Sequence, residues 1–192
     1  MGRKSHSQSL GLWMNGFFLS TWTSHGETLQ YADEWVQHHA GRPLSRSLPF
    51  RPGNRPYSGP AVEAWFENLL PDSKEIRERV ARRYHTASTG AFDLLAEIGR
   101  DCVGALQRMP AGIVPAGPGP LQATALDEGE VARILQATVT PQNVLGASDD
   151  DNDAFRISIA GAQEKTALLF YQGKWQRPLG STPTSHILKL PL

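Results

Sequence analysis

Leu10-Gly11-Leu12-Trp13-Met14-Asn15-Gly16-Phe17-Phe18-Leu19-Ser20-Thr21-Trp22 is the stretch from which the fold can be read. Two apolar, aromatic runs flank Asn15-Gly16, and Asn and Gly both tolerate the positive φ of a type I′ turn. The stretch therefore predicts a β-hairpin. Downstream, residues 28–31 and 43–48 read as further short strands, and the Pro, Gly and Asn cluster over 49–60 reads as loop. The period then changes. Gly59-Pro60 offers an N-cap and a proline at the first helical position, after which Val62, Trp65, Phe66 and Leu69 recur at helical spacing. These features predict a helix packed on the strands.

Pro71-Asp72 ends that helix, and Asp72 with Glu75 has the spacing of a capping box for the next one. Ile76, Val80 and Tyr84 form its apolar stripe. A third helix is expected over 92–98, striped by Phe92, Leu95 and Ile98 and closed by Gly99. Residues 104–109 read as a returning strand. The Pro, Gly and Ala run over 110–120 suits a connection better than packed structure. Beyond it, Asp127 and Glu130 repeat the capping spacing before a short helix, 146–153 is an acidic loop, and 155–159, 166–171, 174–177 and 186–190 read as strands. Gln172-Gly173 marks a turn between two of them.

The chain has 192 residues, 40% of them hydrophobic, with 19 Lys+Arg balancing 19 Asp+Glu, which describes a globular chain rather than a disordered one. Its longest apolar runs fall far short of the roughly 18–20 residues a membrane-spanning helix needs. No secretory h-region follows the basic N-terminus, so the expected location is cytoplasmic. Zero net charge argues against direct nucleic-acid binding. The distribution is nevertheless uneven: residues 42–83 carry nine basic and five acidic side chains, residues 127–153 one basic and seven acidic. Such blocks can steer a charged partner or merely keep a face solvated.

Metal chemistry is poorly supported. Starting a calcium loop at Asp149 would place Ala154 where the turn glycine belongs and Ala160 where the bidentate glutamate belongs. His38 and His39 are adjacent rather than four apart, and Cys102 is the single cysteine, with no basic neighbour to activate it. No metal site is expected.

The C-terminal forty residues carry more. A strand ending at Ile159, a run of small residues and a second strand could bring backbone N–H groups close to phosphate oxygens, with Lys165 adding a point charge. A lone glycine is not a Gly-rich signature, so by itself the segment also reads as a hairpin bend. Lys189 interrupts an apolar strand. In a kinase N-lobe a strand lysine contacts nucleotide phosphates beneath the loop, whereas a lysine on an edge strand also serves to block pairing.

Together, Ile157-Ser158-Ile159-Ala160-Gly161-Ala162-Gln163-Glu164-Lys165-Thr166-Ala167-Leu168-Leu169 and Pro178-Leu179-Gly180-Ser181-Thr182-Pro183-Thr184-Ser185-His186-Ile187-Leu188-Lys189-Leu190-Pro191 resemble the HipA-type Ser/Thr kinases, toxins of bacterial toxin–antitoxin pairs. Asn68-Leu69-Leu70-Pro71-Asp72-Ser73, Arg82-Arg83-Tyr84-His85 and the segment from Phe92 to Ala105 continue the resemblance upstream, in the same order. It implies an α+β fold: a mixed hairpin and helix subdomain over 1–109, a Pro/Gly-rich connection over 110–125, and over 126–192 a partial, β-rich kinase-like N-lobe without the helical C-lobe. It also implies that Ile159, Ala160, Gly161, Ala162, Gln163, Glu164 and Lys165 form the nucleotide-covering loop, that Lys189 contacts phosphate, and that Ser158 is the autophosphorylated residue. ATP and magnesium are the implied cofactors of the complete architecture, and a DNA-binding HipB-like antitoxin the implied partner.

Phosphoryl transfer of this kind also needs an aspartate at the substrate hydroxyl and groups that hold magnesium. After Asp153 the chain contains no aspartate, and Glu164 is its sole carboxylate side chain. The expectation is therefore an N-terminal kinase portion with half an ATP site, no catalytic residue of its own, and tight binding of neither cofactor. The alternative is a free-standing, antitoxin-like module that restrains or competes with a cognate kinase.

Overall fold

A computed structural model describes residues 9–98, 106–115, 120–139, 165–179 and 182–190, with only the backbone of Arg83, Thr138 and Val139. The fold is α+β, with two four-stranded antiparallel sheets.

The first sheet grows from the hairpin. Strands β1 (Ser9–Met14) and β2 (Phe17–Thr23) join through Asn15 and Gly16, whose φ angles of 51° and 85° are those the turn demands. Leu12 pairs with Ser20 but Trp13 with Phe18, so Leu19 is an extra residue in β2. This bulge lets Leu19 join Trp22 in the core, where both are fully buried. Strand β3 (Thr28–Tyr31) pairs with β2, and β4 (Leu106–Pro110) returns to pair with β1 on its other side, giving the order β3-β2-β1-β4.

Helix α1 (Asp33–Gln37), a short element absent from the sequence reading, follows β3 directly. Its exit needs glycine: a Cβ on Gly41 would fall 2.2 Å from the Trp35 carbonyl oxygen. The expected strand over 43–48 does not form. Leu44 and Leu48 are instead pinned by one side chain, because the Tyr31 hydroxyl accepts from Leu44 N at 2.9 Å and donates to Leu48 O at 2.7 Å.

Gly59 and Pro60 open α2 (Pro60–Glu67) as expected; Gly59 has φ 81° and ψ −154°, a region open to glycine alone. Helix α3 (Lys74–Tyr84) is capped by Ser73 rather than Asp72. The Ser73 hydroxyl accepts from Ile76 N at 3.3 Å and donates to Glu75 at 2.7 Å. That contact holds the Glu75 carboxyl below its ordinary range. His85, in the left-handed region at φ 52°, ends α3. Helix α4 (Ala91–Ile98) buries Leu94 and Leu95; Gly99 lies outside the described residues. Glu67 ties the three helices together: it pairs with Arg77 of α3 and accepts from Ala91 N of α4 at 3.2 Å. Much of the Asn68-to-Ser73 motif is thus structural. Leu70 is buried, Pro71 O accepts from Arg77 Nε at 2.6 Å, and Ser73 is the cap.

The second sheet has the order β5-β7-β6-β8, built from β5 (Ala123–Leu126), β6 (Thr166–Tyr171), β7 (Lys174–Pro178) and β8 (His186–Leu188). Helix α5 (Glu128–Val139) packs on β5 and β6. Its capping box forms as expected: Asp127 Oδ1 accepts from Glu130 N at 2.7 Å and Glu130 Oε2 from Asp127 N at 2.8 Å. Gln172 and Gly173, both at positive φ, turn β6 into β7. The expected strand over 155–159 lies outside the described residues.

Candidate nucleotide-site residues

The register of β6 against β8 carries the geometry of this site. Thr166 faces Leu188, Ala167 faces Ile187 and Leu168 faces His186. Lys165 precedes Thr166 and Lys189 follows Leu188, so the two lysines lie one residue beyond the same end of this ladder. Lys165 is half-buried and Lys189 exposed. Of the other nucleotide-loop candidates, Ile159, Ala160, Gly161, Ala162, Gln163 and Glu164 lie outside the described residues, as does Ser158. What is described is the strand that follows them, β6, whose Thr166, Ala167, Leu168 and Leu169 are all buried.

Two residues not singled out from sequence position β8. Ser185 N donates to Leu168 O at 3.0 Å, while the Ser185 hydroxyl accepts from Phe170 N at 2.7 Å, extending the ladder before β8 begins. Thr182, buried, accepts at its hydroxyl from Gln122 N at 2.9 Å and donates its own N–H to Leu179 O at 3.1 Å. The connection from β7 to β8 is thereby fastened to the start of β5. Their signal was present in the sequence as the Thr182-Pro183-Thr184-Ser185 run, but a hydroxyl row before a strand has no unique reading. Among the described residues, no three His, Cys, Asp or Glu side chains cluster as a metal site, and no helix is long and apolar enough to cross a membrane.

Residues 12–109, just over half of the chain, match the family model described as the HipA N-terminal domain, and the chain belongs to that family. Among curated proteins it is 34% identical over 189 residues to a putative kinase, Y4mE, of Sinorhizobium fredii, covering 95% of this chain and 43% of that protein. It is 27% identical over 164 residues to the serine/threonine-protein kinase toxin HipA of Shewanella oneidensis, covering 84% of this chain and 34% of that one. The chain thus spans less than half the length of these relatives. A solved complex of HipA, HipB and operator DNA from Shewanella oneidensis contains a chain of similar fold, with TM-score 0.62 and 21% identity, covering 93% of this chain and 39% of that one.

Proposed function

We propose that this chain is the nucleotide-loop-bearing N-terminal portion of a HipA-like Ser/Thr protein kinase. In this reading Lys165 and Lys189 grip the phosphates of ATP from two facing strands, residues 159–165 cover them, and Ser158 is the position that becomes phosphorylated. The observation that supports it is the β6–β8 register, whose pairing of Thr166 with Leu188 leaves Lys165 and Lys189 each one residue beyond the same end of the ladder. A phosphate on Ser158 would add up to two negative charges beside the loop and compete with ATP for those lysines.

The lysines fit a polyphosphate, but the residues after Asp153 do not fit magnesium, since Glu164 is the sole carboxylate among them. Transfer therefore requires an aspartate and metal ligands from elsewhere, and this chain alone transfers no phosphate. A HipB-like DNA-binding antitoxin is the proposed partner. The test is incubation of the purified chain with labelled ATP and magnesium, alone and with a cognate kinase. We expect no transfer by the chain alone, and weak binding of a fluorescent ATP analogue that falls further in Lys189→Ala and Lys165→Ala. Transfer by the chain alone, or binding indifferent to both substitutions, overturns the reading.

A second reading, a free-standing module that restrains a cognate kinase, is favoured by the way β4 closes the first sheet on β1, giving the N-terminal unit a core of its own. Inhibition of the cognate kinase by the added chain would support it.

A further inference from the structure

We propose that the loop joining α1 to α2 is a docking surface for the phosphodiester backbone of nucleic acid, held chiefly by Arg42, Arg46, Arg51 and Arg55. All four are exposed, and residues 41–62 contain no carboxylate side chain. Among the described residues none of the four forms an ion pair. Zero net charge over the whole chain does not oppose this, because a phosphate chain senses the local patch rather than the sum.

The loop is ordered, so its guanidinium groups start from a fixed backbone and less entropy is lost on binding. Tyr31 brackets Arg46 through its bonds to Leu44 and Leu48. The Tyr57 hydroxyl donates to Pro49 O at 2.5 Å, and Tyr57 exchanges backbone bonds with Leu29. Arg51 lies 3.5 Å above the Tyr57 ring and donates to Pro56 O at 2.9 Å. Arg51 and Arg55 flank a single turn of 3-10 helix, Pro52–Asn54.

The chemistry of the outward side chains decides the partner. Leu44, Leu48, Phe50 and Tyr57 all pack on the core, and none of the exposed large apolar side chains belongs to the loop. A protein partner would need an aromatic or large aliphatic anchor; what remains outside is Arg42, Arg46, Ser47, Arg51, Arg55 and Ser58, types that contact phosphate oxygens, together with Pro49, Pro52 and Pro56. Asp33 accepts from the Asn54 amide at 2.6 Å, and with Glu34 it lines an open cleft of about 520 Å³ that Gly53 and Asn54 of the loop also line.

The experiment is fluorescence anisotropy of a labelled duplex of about 20 base pairs with the full chain, at salt from roughly 50 to 200 mM. Association should weaken linearly on a log–log plot, irrespective of base sequence. R46Q/R55Q should flatten the slope by about two, and R46K/R55K should restore it. Neither Arg46 nor Arg55 has a side-chain partner among the described residues, so both variants should keep the parent melting curve. No association at the low-salt end, an unchanged slope in R46Q/R55Q, or tighter binding of a polyglutamate peptide than of DNA overturns the proposal; the last would assign the loop to an acidic protein.

Discussion

The indole of Trp22 lies flat on the ring of Phe66, centroids 3.5 Å apart and planes 4° apart. Trp22 belongs to β2 and Phe66 to α2, and the edge of Phe92 from α4 closes on the same indole at 4.8 Å. One aromatic pair thus fastens the first sheet to two helices. Phe66→Ala should destabilise the chain by about 3–5 kcal/mol, because the surrounding rings cannot collapse into the space. Urea unfolding followed by tryptophan fluorescence measures this directly.

Tyr31→Phe should lower stability by about 1–3 kcal/mol by stranding the Leu48 carbonyl and the Leu44 N–H. Burial pushes the Tyr31 phenol up to about 12, the bond from Leu44 N opposing the shift. The unfolded phenol ionises first, near pH 10, so this group's contribution is constant below that and falls as pH rises toward its folded value. Absorbance titration should show one tyrosine ionising late, and Tyr31→Phe should remove it.

Glu27 gives a pH dependence at the other end. Burial raises its carboxyl above the ordinary range, the Trp22 indole N–H at 2.9 Å opposes this, and Glu63 and Glu67 add repulsion. The folded form holds the proton more tightly than the unfolded one, so stability falls as pH rises through that window. Glu27→Gln keeps an acceptor for Trp22 and should raise the urea midpoint at neutral pH. The gain should vanish below about pH 4, where both forms carry the proton.

Asp127→Ala removes half of the reciprocal cap on α5 and should cost about 0.5–2 kcal/mol. Hydrogen exchange should accelerate in the first turn of α5, at Glu130 above all, with no change in the first sheet.

Local chemistry was legible in the sequence. Asn15-Gly16 announced a hairpin, Gly59-Pro60 a helix start, and Asp127 with Glu130 a capping box, because each depends on residues within a few positions. Three other features depended on distant ones. Residues 43–48 read as a strand, yet the Tyr31 hydroxyl, contributed by β3, supplied partners to Leu44 N and Leu48 O that a sheet would have. The spacing of Asp72 and Glu75 pointed to Asp72 as the cap of α3, but the backbone places Ser73 there. Lys165 and Lys189 were each noticed, but that they lie beyond the same end of the β6–β8 ladder is a property of strand register, which no window of sequence contains.

The pairing of β1 with β4 joins the two ends of the first unit, Leu10 facing Pro110. A chain emerging from the ribosome presents its hairpin and helices in order, but the outer edge of β1 stays open until residue 110 has left the tunnel. Through that interval the nascent protein exposes a bare strand edge beside apolar side chains, the situation in which chains join the wrong partners. The delay between the emergence of β1 and that of β4 is then the interval in which such wrong pairing competes with closure of the sheet.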